Sequence, residues 1–514
     1  MTGAGSTESP RWAKLIDQTR CIGCHACTVA CKSENEVPVG VSRTYVKYVE
    51  VGVFPEVRRS VQVTRCNQCE DAPCVSACPT GAMHRRPDGI VDFDKSICIG
   101  CKACIAACPY DAIFINPEDH SAEKCNFCAH RLDLGLEPAC VVVCPTEAIL
   151  IGDLNDPSSK VSQLVNRDVV AVRRPEKGTR PKLFYKGAHQ ATLDPLAARR
   201  PAGGLFLWSQ QRRGPHHQVG GHPQHPNSSA AALLAYDGPH SVPWDWRVSA
   251  YTWTKGLAAG VFLVAALLVL AGRLPVASVL WRIYVPLISG VFLALTGGLL
   301  VLDLEHPERF YLVLTRGRPQ SWLVRGAYLI SAYAALLALQ FLLGLLGLGS
   351  ALFAWFGLPL ALSVAVYTAY LLAQARARDL WQSPLLPPHL AVQAGMVGSA
   401  ALLPLLAAFY PALWGWVAAA LAAATAAHLL FVAAELGSHA TAHAELAAWE
   451  MTRGRWAGWF RAGLLLSAVG LLAPWWGGSS RRRGSGRPFS PRTRLSSGRA
   501  VRPAGLMGRE VPHG

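Results

Sequence analysis

Cysteine is absent from most of this chain. None of the 370 residues after Cys144 is a cysteine, whereas sixteen occur between Cys21 and Cys144. This absence excludes disulfides and thiol-ligated metal sites within the later part of the sequence. The cysteines are therefore expected to serve one function, confined to an N-terminal domain.

Charged residues are also scarce. They make up 16% of the chain, against about 25% in an average soluble protein, and they almost vanish over most of 256–480. The uncharged runs cover 256–272, 283–302, 326–375, 380–434 and 462–480. A membrane-spanning helix needs about 17–25 residues, and the two long runs are broken near Gly344–Ser350 and at Tyr410–Pro411. The pattern predicts seven spans and excludes a soluble core of this length.

Several catalytic signatures are missing as well. The sequence contains no persuasive phosphate-binding loop, nucleophile triad or flavin motif, so the chain is not expected to reduce a small substrate by itself.

Its formal net charge is +16, but the last 36 residues carry nine arginines against one glutamate and thus supply +8. The positive charge therefore gives no indication of nucleic-acid binding.

What is present is a regular cysteine pattern of four sets of four. Set one is Cys21, Cys24, Cys27 and Cys31; set two is Cys66, Cys69, Cys74 and Cys78; set three is Cys98, Cys101, Cys104 and Cys108; set four is Cys125, Cys128, Cys140 and Cys144. Two residues between thiolates let a tight loop wrap one corner of a cubane cluster, and in bacterial ferredoxins of this spacing the fourth thiolate ligates the neighbouring cluster. The spacing predicts four [4Fe–4S] clusters in two ferredoxin-like pairs.

Structural zinc and disulfides remain as alternatives for these cysteines. Structural zinc uses two separated Cys-x2-Cys pairs, and nothing about zinc requires a triple run with a fourth cysteine before proline. A disulfide framework suits a small secreted domain, but the N-terminus is too polar for an export signal.

Composition divides the chain into four parts. They are a cluster domain at 10–165, a Pro/Gly/His-rich linker or arm at 166–250, a membrane anchor at 251–477 and a basic, disordered tail at 478–514.

Short strands are predicted at Arg43–Glu50, Ile90–Phe93 and Ala112–Ile115. The expected fold is an α+β, ferredoxin-like tandem iron–sulfur domain followed by an all-α polytopic membrane helix bundle.

The cysteine domain resembles a known family over about residues 10–160. The resemblance is carried by CIGCHACTVACKSEN, RCNQCEDAPCVSACPTGAM, CIGCKACIAACPYDAIFI and KCNFCAHRLDLGLEPACVVVCPTEAI. These motifs are similar to the electron-transfer subunit of molybdopterin oxidoreductases, a family that includes subunits of dimethyl sulfoxide and polysulfide reductases. The resemblance implies a separate catalytic subunit, usually molybdopterin-containing, docked on the cluster domain.

The resemblance also implies how the sets share clusters. Carried over by motif, the four ligand groups are Cys21, Cys24, Cys27 and Cys144; Cys31, Cys125, Cys128 and Cys140; Cys66, Cys69, Cys74 and Cys108; and Cys78, Cys98, Cys101 and Cys104. No ligand is missing, so four cubanes are expected.

The membrane half resembles the quinol-interacting anchor of the polysulfide reductase and nitrite reductase (NrfD-type) family over about 245–476. The carriers are WTKGLAAGVFL, DLEHPERF and ELGSHAT followed by EMTRGRW. That family usually has eight spans, and here a basic tail stands where the eighth would follow. A reading-frame change in the source and a genuine basic tail are both open explanations.

The resemblance implies a bacterial inner-membrane protein, and the side that holds the clusters is open. Arginines are concentrated in the inter-helix connections on the side of the N-terminal domain, which favours an inside location for the clusters. Many relatives, however, work outside.

The DLEHPERF stretch is the predicted quinone site, because it ends the second span on the side of the cluster domain. Asp303, Glu305 and His306 fall together there, and Asp303 is the expected carboxylate partner of His306. A loop ion-pair network that merely ends a helix is the alternative. His428 and Glu435 lie seven residues apart on one helical face and predict a proton path.

Other ionisable groups near the membrane receive structural interpretations. Lys255 and Arg325 start spans and are expected to extend to the headgroups. Haem is not expected, because His428 alone is predicted well inside a span, with His306, His389, His439 and His443 at ends.

The predicted function is electron transfer between a menaquinol or ubiquinol pool and a molybdoenzyme, by a membrane subunit of a respiratory oxidoreductase complex that does not itself reduce the terminal substrate. The alternatives are an equivalent subunit of a hydrogenase or cytochrome-linked complex, and a redox-sensing or ion-translocating membrane protein.

Overall fold

The N-terminal part consists of short strands and helices around the cysteine loops. The structure, a computed structural model, describes residues 9–194, 196–198, 222, 225, 228–238, 240, 243–438 and 441–476. Its strands are β1 (Trp12–Asp17), β2 (Thr44–Val51), β3 (Arg58–Arg65), β4 (Met83–Arg85), β5 (Val91–Phe93), β6 (Ile113–Ile115), β7 (Ala122–Lys124), β8 (Ile149–Asp153), β9 (Val170–Ala171), β10 (Leu183–Lys186) and β11 (Leu233–Tyr236). Its helices are α1 (Ala26–Glu34), α2 (Pro73–Ala77), α3 (Ala103–Ala107), α4 (Ala129–Leu132), α5 (Ala139–Val142), α6 (Lys160–Arg167) and α7 (Gln190–Leu193).

Two sheets hold the cysteine loops in place. The first has the order β8-β1-β10-β9, with β1 antiparallel to β8 and parallel to β10. The second has the order β11-β2-β3, and buried and half-buried residues alternate along β2 except at Val46 and Lys47, which are both buried. The strand predicted at Arg43–Glu50 is confirmed as β2.

The segment 166–250 is not simply a linker, which corrects the domain boundary expected at residue 165. Strand β10 lies inside the first sheet, and β11 pairs with β2 in the second. A parallel partner can reach β1 only after a long crossover, so this segment returns to complete both sheets. Residues 199–221 of the segment lie outside the described residues.

Two antiparallel hairpins repeat the ferredoxin-like pattern. Strand β4 pairs with β5 and β6 pairs with β7, and each hairpin follows a cysteine loop. The strands predicted at Ile90–Phe93 and Ala112–Ile115 are confirmed as β5 and β6.

Long apolar helices form the C-terminal part. The helices are α8 (Trp246–Leu270), α9 (Val285–Leu302), α10 (Leu312–Thr315), α11 (Trp322–Leu345), α12 (Leu352–Ala373), α13 (Leu386–Phe409), α14 (Pro411–Gly437), α15 (Ala442–Thr452), α16 (Ala457–Val469) and α17 (Ala473–Trp476). Within the described residues, seven helices are long and apolar enough to cross a membrane, which confirms the predicted number. The basic tail and the position of an eighth span lie beyond the described residues.

We number the spans one to seven in chain order; they comprise Trp246–Leu270, Leu280–Leu302, Trp322–Leu345, Leu352–Ala373, Leu386–Phe409, Pro411–Gly437 and Ala457–Trp475. Span one is the centre of the bundle, since 67% of its most apolar stretch is buried, against 6% for span seven. A Cβ on Gly260 of span one would lie 1.9 Å from the carbonyl oxygen of Ala394 in span five. Glycine therefore allows the two backbones to approach closely.

Candidate iron–sulfur and quinone sites

The cysteine loops adopt repeated backbone conformations. In set one, Gly23 and His25 have φ values of 70° and 61°; in set three, Gly100 and Lys102 have values of 66° and 61°. These positions are equivalent in the two motifs. The same left-handed turn therefore presents both triple-cysteine runs, although only one of the two positive-φ residues in each loop is glycine.

The folded chain gathers the sixteen thiols into four groups. Group one is Cys21, Cys24, Cys27 and Cys144; group two is Cys31, Cys125, Cys128 and Cys140; group three is Cys66, Cys69, Cys74 and Cys108; group four is Cys78, Cys98, Cys101 and Cys104. These are the sets that the resemblance implies. Their role as iron ligands stays a prediction.

Sets one and four exchange their last cysteines to form groups one and two. Burial raises the pKa of Cys21, and the thiol of Cys144, which belongs to set four, adds to this effect. Burial also raises the pKa of Cys31 to about 12, with contributions from Cys125 and Cys128. Thiols that are far apart in the sequence are therefore electrostatic neighbours in the fold.

Sets two and three exchange their last cysteines in the same way to form groups three and four. Burial raises the pKa of Cys69 to about 12, and Cys108 of set three contributes to the rise. Burial likewise raises the pKa of Cys101, and Cys78 of set two and Cys98 contribute.

The surroundings of the thiols suit iron–sulfur clusters. Each group offers four sulfur donors, and a cavity lies among the four cysteines of group four. Backbone N–H groups donate to these sulfurs: Gln68 to Cys66 at 3.4 Å, Met83 to Cys78 at 3.3 Å, Ala122 to Cys98 at 3.4 Å and Ala148 to Cys144 at 3.2 Å. Hydrogen bonds to sulfur are among the features that set cluster potentials.

Buried cations lie beside group two. The guanidinium of Arg65 donates to the sulfur of Cys140 at 3.0 Å, and the ammonium of Lys14 approaches the same sulfur at 3.5 Å. Burial alone would raise the pKa of Cys140, but Arg65 and Lys14 lower it to about 7. This part of the core therefore favours a thiolate and accommodates negative charge.

The groups form a series from one to four. Burial raises the pKa of Cys27, Cys66 and Cys104, and in each case a thiol of the preceding or following group adds to the rise. Cys140 of group two acts on Cys27 of group one. Cys125 of group two acts on Cys66 of group three, and Cys74 of group three acts on Cys104 of group four. At the beginning of the series Cys24 is exposed and Cys21 is partly exposed. The end of the series lies against the membrane part.

The DLEHPERF loop docks directly on group four. The Lys102 ammonium, next to Cys101, lies 2.8 Å from the Glu305 carboxylate. The backbone N–H of His306 donates to the carbonyl of Ile99 at 3.3 Å. A Cβ on Gly100 would lie 2.4 Å from the Glu305 Cβ, so this contact leaves no room for a side chain.

This docking corrects part of the predicted quinone site. The His306 side chain contacts the Asp119 carbonyl at 2.9 Å through Nε2 and the Glu308 carboxylate at 3.0 Å through Nδ1. Its carboxylate partner is therefore Glu308 and not Asp303. Glu305 and His306 hold the two parts of the chain together.

Asp303 is the member of the trio that remains available for a ligand. It is buried, and its Oδ1 has no hydrogen-bond partner in the part of the chain that the structure describes. Burial raises its pKa to about 6, although Lys102 acts in the opposite direction. The carboxylate also contributes to the raised pKa of Cys101, after burial and the thiol of Cys78, so it lies close to group four.

Lys255 does not extend to the headgroups, which corrects its expected position. The side chain is 1% exposed, donates to the Ala365 carbonyl at 3.0 Å and hydrogen-bonds to the Thr368 hydroxyl. Its ammonium also lies 4.6 Å from the centre of the Tyr367 ring. Span one is central in the bundle, and Lys255 lies on a buried part of it. Arg325, by contrast, is exposed.

A second polar cluster lies between spans five and six. His389 Nδ1 lies 3.0 Å from the Glu435 carboxylate, and His389 Nε2 lies 2.8 Å from His428 Nδ1. Gln393 approaches His389 at 3.2 Å. The sequence predicted Glu435 and His428 and placed His389 at a helix end. His389 does lie in the first turn of α13, but it is buried there. No local signal marks this partnership, since His389 belongs to another helix. His439 lies outside the described residues.

Family comparisons match both parts of the chain. Residues 58–154 match a 4Fe-4S dicluster domain, residues 12–33 match a 4Fe-4S binding domain, and residues 237–478 match the family described as Polysulphide reductase, NrfD. The three matches together include all the cysteines and the seven spans.

Curated relatives resemble the N-terminal part. A tetrathionate reductase subunit of Salmonella typhimurium is 46% identical over 205 residues, which cover 39% of this chain and 80% of the relative. The arsenate respiratory reductase iron-sulfur subunit ArrB of Shewanella sp. is 39% identical over 223 residues, which cover 34% of this chain and 95% of the relative. One of the polysulfide reductase chains of Wolinella succinogenes is 44% identical over 177 residues, which cover 34% of this chain and 93% of the relative.

Proposed function

We propose an electron path for this chain, which belongs to the family of iron–sulfur electron-transfer subunits of reductase complexes and carries a membrane domain of the polysulphide reductase NrfD family. It is a multi-pass membrane protein with 4Fe-4S domains, and it serves in a reductase complex with a catalytic partner. The path runs between that partner and a quinone held by the membrane part.

The series of thiol groups carries this proposal. Each group would hold one [4Fe–4S] cluster, giving four, and a cluster supplies one-electron transfer when bound. Group one reaches the surface at Cys24, whereas group four is covered by the membrane loop through Glu305 and His306. An electron path needs one accessible end and one end beside the membrane carrier, and the series supports both.

The quinone would bind between Asp303 and Lys255, deeper than the docked loop. Tyr251 of span one lies near Asp303 and Thr368, and Lys255 contacts Thr368. A quinol loses two electrons and two protons. The Asp303 carboxylate, with a pKa of about 6, would accept a proton near neutral pH, and the Lys255 ammonium would orient a quinone oxygen by hydrogen bonding.

Protons would reach the domain-side surface through the histidine cluster. The Glu435 side chain is partly exposed, and His389 connects it to His428 by two hydrogen bonds of 3.0 and 2.8 Å. Imidazole can take a proton on one nitrogen and release one from the other. Ionisable groups are costly in a membrane and are retained there mainly for function.

The exposed end is the proposed docking surface for a molybdopterin-containing catalytic subunit. Around group one, Ile22 is 66% exposed, Val29 65% and Val142 60%. Apolar side chains grouped around an exposed cysteine loop suit a protein interface, because burying them is favourable on assembly. The molybdopterin identity rests on the resemblance of the cysteine motifs to the electron-transfer subunits of molybdopterin oxidoreductases.

The test is quinol-driven reduction of the clusters in the anaerobically purified complex, followed by electron paramagnetic resonance. Iron and acid-labile sulfide should each approach roughly sixteen atoms, four per cubane. Lys255→Met should abolish reduction by quinol while dithionite still reduces the clusters. The control Arg325→Gln changes an exposed cation near the end of a span and should leave quinol-driven reduction unchanged.

Three results would contradict the proposal. Iron far below roughly sixteen atoms would exclude four cubanes. Full quinol-driven reduction in Lys255→Met would place the quinone elsewhere. No quinol-driven reduction in active wild-type membranes would favour a sensing function.

A further inference from the structure

A cavity of about 580 Å³ lies at the junction between the iron–sulfur part and the membrane part. Its walls come from β2 and β3, the loop after Cys108, the loop around Arg173, the segment before span one and the connection between spans four and five. It is separate from the polar site at Asp303 and Lys255, none of whose residues line it. The proposed electron path does not use it.

Two adjacent arginines, both largely buried, line this cavity. Arg173 is 6% exposed and Arg174 8%. Nε and Nη1 of Arg173 and Nη2 of Arg174 have no hydrogen-bond partner among residues that the structure describes. Arg174 is held in place by the Pro109 carbonyl at 3.2 Å and Glu176 at 3.2 Å, while its Nη2 lies 3.9 Å from the Asp379 carboxylate, too far for a hydrogen bond. Buried guanidinium donors without acceptors are costly, so an anion in the cavity that reached these side chains would be stabilised by them.

The two acidic residues of the cavity both contact a histidine. His240 contacts the Asp111 carboxylate through Nδ1, and its Nε2 lies 3.0 Å from the Asp237 carboxylate. Hydrogen bonds from the imidazole to the two carboxylates raise the pKa of His240 to about 9, so the imidazole is a cation at neutral pH. Lys47 and Arg378 also line the cavity. The two carboxylates are thus outnumbered by five cations, and the net charge favours an anion.

The cavity lies where a membrane surface would be. Trp244 precedes span one, and Trp381 lies between spans four and five. Their rings stack with centroids 5.8 Å apart, and both line the cavity. Tryptophan is enriched at the headgroup level of membranes, and basic pockets at the ends of spans bind anionic lipid headgroups.

We propose that this cavity binds a phosphate group through Arg173 and Arg174, with Arg378 at its open edge. The tetrahedral oxygens of phosphate suit the donors of two neighbouring guanidinium groups. The phosphate can belong to a phospholipid headgroup or to a free anion. Its position beside the Cys108 loop means that an occupied cavity would also stabilise the contact between the two parts of the chain.

The lipid source is tested by native mass spectrometry of the whole complex, purified from nanodiscs containing phosphatidylglycerol or phosphatidylcholine alone. The wild type should retain phosphatidylglycerol. The double variant Arg173→Gln/Arg378→Gln should retain about tenfold less, as expected for the loss of charge-assisted hydrogen bonds. Arg376→Gln is the matched control, because Arg376 is an exposed cation of the same connection that does not line the cavity.

The free-anion source is tested by titrating delipidated complex with inorganic phosphate at constant ionic strength. Phosphate should raise the melting temperature of the wild type and of Arg376→Gln, but not that of the double variant. Iron content checks folding, and Arg378→Gln alone, which changes an exposed residue, replaces the double variant if that variant loses its clusters.

Retention of phosphatidylglycerol assigns the site to lipid, whereas stabilisation by inorganic phosphate alone assigns it to a free anion. The proposal would be overturned if the wild type neither retained lipid nor was stabilised by phosphate. It would also be overturned if the wild type and the double variant responded equally.

Discussion

The two ends of the cysteine series differ in how they are covered. Group one has an exposed cysteine, Cys24, and exposed apolar neighbours such as Ile22 and Val29. Group four is enclosed by a loop of the same chain, with the Lys102–Glu305 ion pair and the Ile99 backbone contact at its surface. One end is thus suited to a separate partner, while the other is joined to the membrane part covalently and by packing.

The largest effect is expected when the enclosed end is opened. Gly100→Val introduces a side chain where a Cβ already lies 2.4 Å from the Glu305 Cβ, at a residue with φ of 66°. Both the clash and the backbone conformation oppose the substitution. Quinol-driven reduction should fall to background while dithionite reduction of groups one to three remains. Near-normal quinol turnover would show that the loop contact is dispensable.

Removal of a thiol at the exposed end should impair electron exchange with the partner but not with quinol. Cys24→Ser should lose or convert one cluster in the electron paramagnetic resonance spectrum, and partner-dependent turnover should drop by more than about tenfold because the accessible step is gone. Quinol should still reduce the other clusters. An unchanged count of four clusters would refute the ligand assignment of Cys24.

A charge on the exposed apolar surface should weaken assembly without changing the clusters. Ile22→Asp places a carboxylate at a position expected to be buried by the partner, which should weaken binding by about tenfold. Co-purification and iron content distinguish this from unfolding. Val39→Asp is the control, because Val39 is also exposed but lies outside the cysteine loop.

The pH dependence of quinol oxidation should report on Asp303. Its pKa is raised to about 6 by burial, so the proton-accepting carboxylate is lost as pH falls through that value. The wild-type rate should therefore decline several-fold between about pH 7 and pH 5, where the protonated fraction rises. Asp303→Asn should be slower at pH 7 and show no such decline. Parallel profiles for both proteins would exclude Asp303 as the proton acceptor.

The smallest effect is expected from His306→Ala. The structure assigns this side chain to docking through the Asp119 carbonyl and Glu308, and one such hydrogen bond contributes about 1 kcal/mol. Quinol turnover should change by about twofold or less, with a small loss of thermal stability. A loss comparable to that of Lys255→Met would return His306 to the quinone site.

The DLEHPERF loop shows what a sequence motif can predict and what it cannot. The DLEHPERF motif was correctly connected with the cluster domain, but the roles of its residues were not separable in sequence. Glu305 and His306 contact the iron–sulfur part, whereas the Asp303 carboxylate is buried with one oxygen that has no hydrogen-bond partner among the described residues. Three ionisable residues within four positions differ in their contacts because the helix ends there and the loop docks on a surface distant in the sequence.

The sequence by itself determined the grouping of cysteines into sets, the short strands around them and the number of spans. These features depend on local spacing, strand alternation and the length of uncharged runs, all of which are readable within a few tens of residues. Only the tertiary structure decided that β10 completes the first sheet, that Lys255 is buried and that His389 joins His428 and Glu435. Each of these depends on contacts between segments far apart in the chain, for which local composition carries no information.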